Sequence, residues 1–158
     1  MPLTTHRTEH GPSALALIVL SVATTLPARA VPNRQIDSNL QSIITTVRAE
    51  KSPRARLDAA GRLPQLTVKA RPGSVSDTTV RELIGLLDDP DDAIRLDAAA
   101  TLGNLRAKAA IPKLLALLPA ADCLEGTLTS ARVIRYALEK MKVKPPPAPS
   151  YSECQNRK

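Results

Sequence analysis

The sequence predicts an all-α protein built from about three repeated pairs of helices. The pentapeptide Arg-Leu-Asp-Ala-Ala at residues 56–60 recurs unchanged at residues 95–99, which indicates a structural repeat. Apolar residues upstream of both copies recur every three or four positions, the spacing that gives a helix one apolar face. The chain has 43% hydrophobic residues but no Phe or Trp, so its core must be built from Leu, Ile, Val and Ala.

Residues 1–30 are predicted to be a secretory signal peptide. The uncharged segment 13–26 is shorter than the about 20 residues that a transmembrane helix needs. Ala28-Arg29-Ala30 fits the small-x-small cleavage rule, so we expect cleavage after Ala30 and export to the bacterial periplasm or out of the cell. The leader's positive charge is weak, because Glu9 offsets Arg7. The alternatives are a buried helix or an uncleaved anchor, which would be the chain's one contact with a membrane.

The first predicted helix pair spans residues 38–66. Ile43, Ile44 and Val47 lie at helical spacing and mark its first helix. Ser52 and Pro53 predict the start of its second helix, because a serine side chain caps the first turn and proline suits the first helical position.

The second pair spans residues 77–107 and has the clearest pattern. Its first helix has an apolar stripe made of Val80, Leu83, Ile84, Leu86 and Leu87. Asp77 is predicted to cap this helix, and Asp91 or Asp92 the next one, since carboxylates accept hydrogen bonds from first-turn amides. Gly103 lies late in the second helix, where glycine costs about 1 kcal/mol relative to alanine, so we expect a packing reason for it.

The third pair spans residues 108–142, and a Pro-rich tail follows at residues 143–158. Leucines at 114, 115, 117 and 118 mark its first helix. Val133, Ile134, Ala137, Leu138 and Met141 mark its second helix. The connection Pro119–Thr127 is predicted to be long. Prolines at 145, 146, 147 and 149 favour an extended polyproline conformation.

The residues of the second pair resemble a HEAT repeat. The similarity lies in the stretch 86–95, Leu-Leu-Asp-Asp-Pro-Asp-Asp-Ala-Ile-Arg, followed by Ala98-Ala99 and Leu102-Gly103, and it is greatest to the short HEAT-like repeats also found in bilin lyases. The resemblance implies that residues 31–142 form a short α-solenoid of about three antiparallel helix pairs, a fold that usually binds proteins. It also implies an inter-repeat pairing between an arginine and the acidic residue six positions before it. Asp89 with Arg95, and Glu50 with Arg56, match that pattern.

These features predict an exported, non-catalytic HEAT-repeat scaffold or adaptor that binds a protein partner. Both histidines, His6 and His10, lie in the leader, so the mature chain lacks Ser-His-Asp and Cys-His catalysis and the usual His-based zinc sites. No Gly-rich phosphate loop is present, and we predict no catalytic residue, metal site or cofactor. The alternative is an accessory enzyme of the bilin-lyase type, for which Asp58 and Asp97 are matched carboxylates, although repeat geometry would stack them about one repeat apart.

Charge varies along the chain. Residues 31–75 and 108–158 each have a net charge of +5, whereas residues 76–107 have −4. The basic ends make a binder of an anionic surface polymer or membrane a further alternative. Nucleic acid is not an expected partner, because an exported chain seldom meets it and aromatic stacking platforms are lacking. The aspartates at 88, 89, 91 and 92 are interpreted as turn and cap residues, since the spacing of an EF-hand calcium loop is absent.

Four residues are candidates for protein binding: Arg62, Arg132, Arg135 and Tyr136. Arginine and tyrosine supply much of the binding energy at protein interfaces, which is the reason for choosing them. The alternative is that Tyr136 packs in the interior and that the arginines are only solvated.

Cys123 and Cys154 are predicted to form an intramolecular disulfide. They are the two cysteines of a chain predicted to be exported, and such chains use cysteines in disulfides. An extended tail is long enough to run back along the last helix of the third pair to the connection that precedes it. Two free thiols and an intermolecular bridge through Cys154 are the alternatives, and the spacing excludes a CxxC-type redox pair.

Overall fold

The computed structural model describes residues 33–123 and 128–156, and every regular element in these ranges is helical. The predicted leader, the segment 124–127 and the last two residues lie outside them. The α-helices are α1 (Arg34–Ala49), α2 (Pro53–Ala60), α3 (Arg62–Thr67), α4 (Asp77–Gly85), α5 (Asp92–Asn104), α6 (Ile111–Cys123), α7 (Leu128–Lys140) and α8 (Tyr151–Gln155). Within the described ranges, none of these helices has both the length and the apolar character needed to cross a bilayer.

The first predicted pair consists of α1 followed by two shorter helices, α2 and α3. Ser52 caps α2 and Pro53 occupies its first position, as predicted. The predicted second helix is divided at Gly61, however, and α3 begins immediately after it. Pro64 accounts for the division, because proline lacks the N–H that would bond to the carbonyl of Ala60 and its ring clashes with that carbonyl.

The second predicted pair consists of α4, a 3₁₀ turn at Leu86–Asp88 and α5. Asp91 caps α5 as predicted, accepting a hydrogen bond from the amide of Ala93. The prediction for α4 was wrong by one residue, because Ser76 caps it and Asp77 is its first helical residue. The carboxylate of Asp37 in α1 accepts hydrogen bonds from the amide and hydroxyl of Ser76, which fixes Ser76 in the cap position.

The third predicted pair consists of α6 and α7. The predicted connection Pro119–Thr127 was wrong in extent, because α6 continues through Pro119 as far as Cys123. Leu118 and Ala121 are buried on either side of Pro119, and this packing outweighs the loss of one backbone hydrogen bond. The tail has no regular secondary structure from Val143 to Ser150 and then forms α8.

One apolar core runs through the described helices. The helix α5 packs against α3 on one side and against α7 on the other, while α4 and α6 pack beside α5 and α7 respectively. As predicted, the largest fully buried side chains are aliphatic, and they include Leu40, Ile44, Leu63, Leu83, Leu87, Ile94, Leu102, Leu114, Leu118 and Leu138. Each such burial contributes about 1.5–3 kcal/mol.

Gly103 has the packing role that the sequence predicts. It is buried in α5 opposite Ala137 of α7. A Cβ atom at Gly103 would lie 2.7 Å from the Cα of Ala137, closer than two carbon atoms approach without repulsion. Glycine therefore allows α5 and α7 to approach each other closely at this point.

Candidate protein-binding surface

Tyr136 and Arg132 form an exposed pair on α7. They lie one helical turn apart, and the side chain of Tyr136 remains 45% exposed. Lys140 follows one turn later, with its Nζ atom 5.1 Å from the centre of the Tyr136 ring. A cation at this distance over a ring face is attracted by its quadrupole, so Lys140 restrains the ring. The ring of Tyr136 is therefore not packed in the interior, which was the alternative to a place on the protein surface.

A shallow groove between α5 and α7 adjoins this pair. It is lined by Ala100 of α5 and by Arg132, Val133 and Tyr136 of α7, and it encloses about 390 Å³. The small side chain of Ala100 leaves room for the groove, and half-buried Val133 adds apolar surface. We call these four residues the α5–α7 groove. It combines apolar surface, one aromatic ring and a guanidinium group, a combination typical of protein-binding sites.

Arg135, the third candidate on α7, does not line the α5–α7 groove. Its guanidinium group pairs with Asp122 of α6, with an Nη2–Oδ2 distance of 2.7 Å. It also donates to the carbonyl of Pro146 in the tail at 2.7 Å. Because the Asp122 side chain is only 6% exposed, Arg135 compensates a buried charge, which is a structural role.

Arg62 is exposed but lies in a different place from the α5–α7 groove. It lines a groove between α1 and α3, and the other lining residues are both polar and apolar: Asn39, Ser42, Ile43 and Thr46 of α1, Ala59 of α2 and Leu66 of α3. This groove shares no lining residue with the α5–α7 groove. The structure therefore groups Arg132 with Tyr136 and leaves Arg62 apart.

The tail is fastened to α6 by the predicted cysteine pair. The Sγ atoms of Cys123 and Cys154 are 2.07 Å apart, and the Cα atoms are 5.2 Å apart, both of which fit a disulfide. The prediction that the tail runs back along α7 agrees with the bond between Arg135 and Pro146. Within the tail, Ser150 and Glu153 form a reciprocal capping box that starts α8 and presents Cys154.

Of the four residues predicted to pair between repeats, Asp89 and Arg56 form an ion pair between the first and second helix pairs, whereas Arg95 and Glu50 have other partners. The carboxylate of Asp89 binds Arg56 of α2, at 2.5 Å, and not Arg95. Arg95 reaches only the backbone carbonyl of Asp89, at 2.7 Å, and its second Nη atom binds Asp92. The carboxylate of Glu50 instead accepts hydrogen bonds from the amides of residues 51 and 52. Asp92, one turn before Arg95, is simply closer to it in the helix than Asp89 is.

The acidic turn before α5 is held by the protein's own groups, in line with the interpretation from sequence. Asp89 and Asp91 accept hydrogen bonds from backbone amides, Asp88 pairs with Lys113 at 2.5 Å, and Asp92 also binds the hydroxyl of Ser130 at 3.1 Å. Across residues 33–123 and 128–156, no three His, Cys, Asp or Glu side chains are grouped closely enough to hold a metal ion.

The matched carboxylates Asp58 and Asp97 have different environments. Asp58 is exposed, whereas Asp97 is half-buried near the α2–α3 junction. Burial alone raises the pKa of Asp97, because the low-polarity surroundings disfavour the charged form. The repeated pentapeptide therefore places one aspartate in solvent and the other against a neighbouring helix.

Two contacts of the candidate residues were not predicted from the sequence. Lys140 lies four residues after Tyr136, a spacing that by itself predicts contact on a helix. Asp122 carried no such signal, because the helix was predicted to end before Pro119.

A scan against protein-family models and a search of curated proteins both found no match to this chain.

Proposed function

We propose that this chain is an exported, non-catalytic adaptor whose α5–α7 groove binds a protein partner. The observation that carries the proposal is the half-exposed ring of Tyr136 beside Arg132 over an apolar groove. Tyrosine and arginine, with tryptophan, are the residues enriched at the energetic centre of interfaces. The ring is one of only two aromatic side chains in the chain, and it lies at the surface although the interior would offer it apolar contacts.

The groove also indicates what a partner should offer. Arg132 and Lys140 flank the ring of Tyr136, and Val133 and Ala100 supply apolar contact. A partner segment with a carboxylate next to an aliphatic side chain would satisfy both features, since charge complementarity sets orientation and apolar burial supplies affinity.

A short HEAT-like solenoid is the architecture that we propose for this adaptor. The stacking of α3, α5 and α7 supports it, because these are the second helices of successive pairs. The repeated pentapeptide supports it as well, since its alanines are buried at both copies, at 59–60 and at 98–99. In both copies the arginine donates to a carbonyl before its own helix, Arg56 to Val47 and Arg95 to Asp89.

Export is proposed on two grounds. The leader has the pattern of a secretory signal, and the cysteine pair at disulfide distance fits an oxidising compartment. Disulfides seldom persist in a reducing cytosol, so the pair favours the periplasm or the extracellular medium.

Affinity capture with matched variants tests the adaptor function. The double variant Arg132→Glu/Tyr136→Ala removes the ring and reverses the charge of the groove, while Arg81→Glu makes the same reversal at an exposed residue of α4. We expect the wild type and Arg81→Glu to capture a partner protein in stoichiometric amount from envelope extract. The double variant should not capture it. Equal capture by all three, or turnover of a small molecule by the purified chain alone, would contradict the proposal.

A further inference from the structure

The described part of the C-terminal tail is attached to the helix array near both of its ends. At its start, Val143 packs against the core. The carbonyl of Pro146 then accepts a hydrogen bond from Nη1 of Arg135 in α7 at 2.7 Å. At its far end, Cys154 is bonded to Cys123, the last residue of α6. The tail thus spans the third helix pair as a strap with a covalent fastening.

Helix α8, which carries Cys154, is too short to be stable by itself. It has five residues, whereas isolated helices shorter than about 12–15 residues are marginal in water. The reason is that the first turn fixes several backbone dihedrals for each hydrogen bond that it forms. The capping box of Ser150 and Glu153 adds about 1 kcal/mol, which does not overcome that cost. The disulfide therefore maintains α8 by fixing Cys154 against α6.

The helix array does not depend on the tail for its main core. The largest fully buried side chains lie between Leu40 and Leu138, before the tail begins. The hydrogen bond from Arg135 to Pro146 is exposed and contributes about 1 kcal/mol. Loss of the covalent fastening should therefore free the tail without unfolding the helices α1 to α7.

We propose that the bond between Cys123 and Cys154 is a redox latch, which a dithiol opens to release the tail from a helix array that stays folded. A thiolate of the dithiol attacks one sulfur and displaces the other as a thiolate, and its second thiol then resolves the mixed disulfide. The reductant leaves as its own disulfide, and the two cysteines become thiols after gaining two electrons and two protons. Local opening of α8 brings Cys154 within reach of the reductant.

Opening of the latch changes the surface of α7. Without the tail, Nη1 of Arg135 loses the carbonyl of Pro146, while Nε and Nη2 keep Asp122. Arg135 lies three residues after Arg132, a spacing that makes the two side chains neighbours on a helix. The reduced protein therefore presents a second guanidinium donor beside the exposed pair of Arg132 and Tyr136. The latch itself does not depend on the adaptor function.

Hydrogen exchange of the mature chain, with and without dithiothreitol in native buffer, tests the latch. We expect dithiothreitol to reduce the bond without denaturant and to speed exchange at amides 152–156 by at least about tenfold, because α8 melts. Exchange in α1 to α5 should stay unchanged. Cys154→Ser and Cys123→Ser should each show the fast exchange without reductant and no response to it, which separates the latch from other effects of dithiothreitol.

Three results would each overturn the proposal. The first is equal exchange of the tail amides in the oxidised and the reduced protein. The second is faster exchange throughout α6 and α7 after reduction, since the bond would then hold the helix array and not a strap. The third is a bond that dithiothreitol reduces only after urea has unfolded the chain.

Discussion

The packing of α5 against α7 predicts that Gly103→Ala destabilises the protein. Without a Cβ atom, Gly103 allows the backbone of Ala137 to come close. An added Cβ would lie 2.7 Å from the Cα and 2.9 Å from the Cβ of Ala137. Carbon atoms pack best at about 3.5–4.0 Å, so the two helices would have to separate by about 1 Å. The obstacle is backbone, which cannot rotate away as a long side chain can.

Two opposing effects set the size of the change. Alanine is a better helix former than glycine by about 1 kcal/mol, which favours the variant. Overpacking of a close-packed interior costs about 1–3 kcal/mol, and a backbone collision lies at the upper end of that range. The net expectation is a loss of about 1–2 kcal/mol in the free energy of unfolding. For a domain of this size, that loss corresponds to a decrease of roughly 3–10 °C in melting temperature.

Urea unfolding followed by circular dichroism measures the effect, with Gly85→Ala as the matched control. A Cβ at Gly85 would meet only the Nη2 atom of Arg48, at 3.2 Å, and the end of that side chain can move. Gly85→Ala should therefore keep most of the helix-propensity gain and raise stability by up to about 1 kcal/mol.

A second change separates the collision from other effects of the substitution. Ala137→Gly should cost less stability in the Gly103→Ala background than in the wild type, because in the first case it also removes the collision with the side chain of residue 137. If Gly103→Ala is as stable as the wild type, α5 and α7 do not approach as closely as described, and the packing reason given for Gly103 is incorrect.

Three further predictions concern the cysteines and two aspartates. Reduction, or Cys154→Ser, should lower the free energy of unfolding by on the order of 3 kcal/mol, since a loop of 31 residues is opened; mass spectrometry of unreduced protein should find no alkylatable Cys123. Asp89→Asn should lower the free energy of unfolding, measured in urea, by about 2 kcal/mol, because the charge of Arg56 loses its partner. The control is Asp88→Asn at an exposed ion pair, and a smaller loss for Asp89→Asn than for this control would contradict the prediction. Burial raises the pKa of Asp97, so the stability that comes from its protonated form is fully present below pH 3.8 and is lost as the pH rises through the folded-state pKa. The free energy of unfolding of Asp97→Asn should therefore increase relative to that of the wild type over this pH range. Parallel profiles of the two proteins against pH would refute the prediction.

The features that the sequence predicted well are local ones. Ser52 and Asp91 cap helices because a cap depends on a side chain and on amides two or three residues away. The apolar stripes of α1, α4 and α5 follow from the helical period alone. The all-helical fold class follows from the same pattern and agrees with the described structure.

The features that the sequence did not predict depend on tertiary contacts. A proline normally ends a helix, yet α6 passes through Pro119. The helix continues because Leu118 and Ala121 are buried in the core, and the residues that surround them there cannot be identified from the sequence pattern. The role of Arg135 depends on Asp122, which only that longer helix brings into reach. Ser76 precedes Asp77 as the cap because Asp37, 39 residues earlier, binds it.

In the proposed solenoid the first and the last helix pair are finished by different means, and this difference bears on where the proposed partner binds. At the first end, α1 presents polar residues such as Ser42 and Thr46 to solvent, which need no cover. At the other end, the tail lies along α7, where Arg135 and the cysteine pair hold it. The surface that we propose for a partner is the α5–α7 groove, where the side chain of Tyr136 remains 45% exposed.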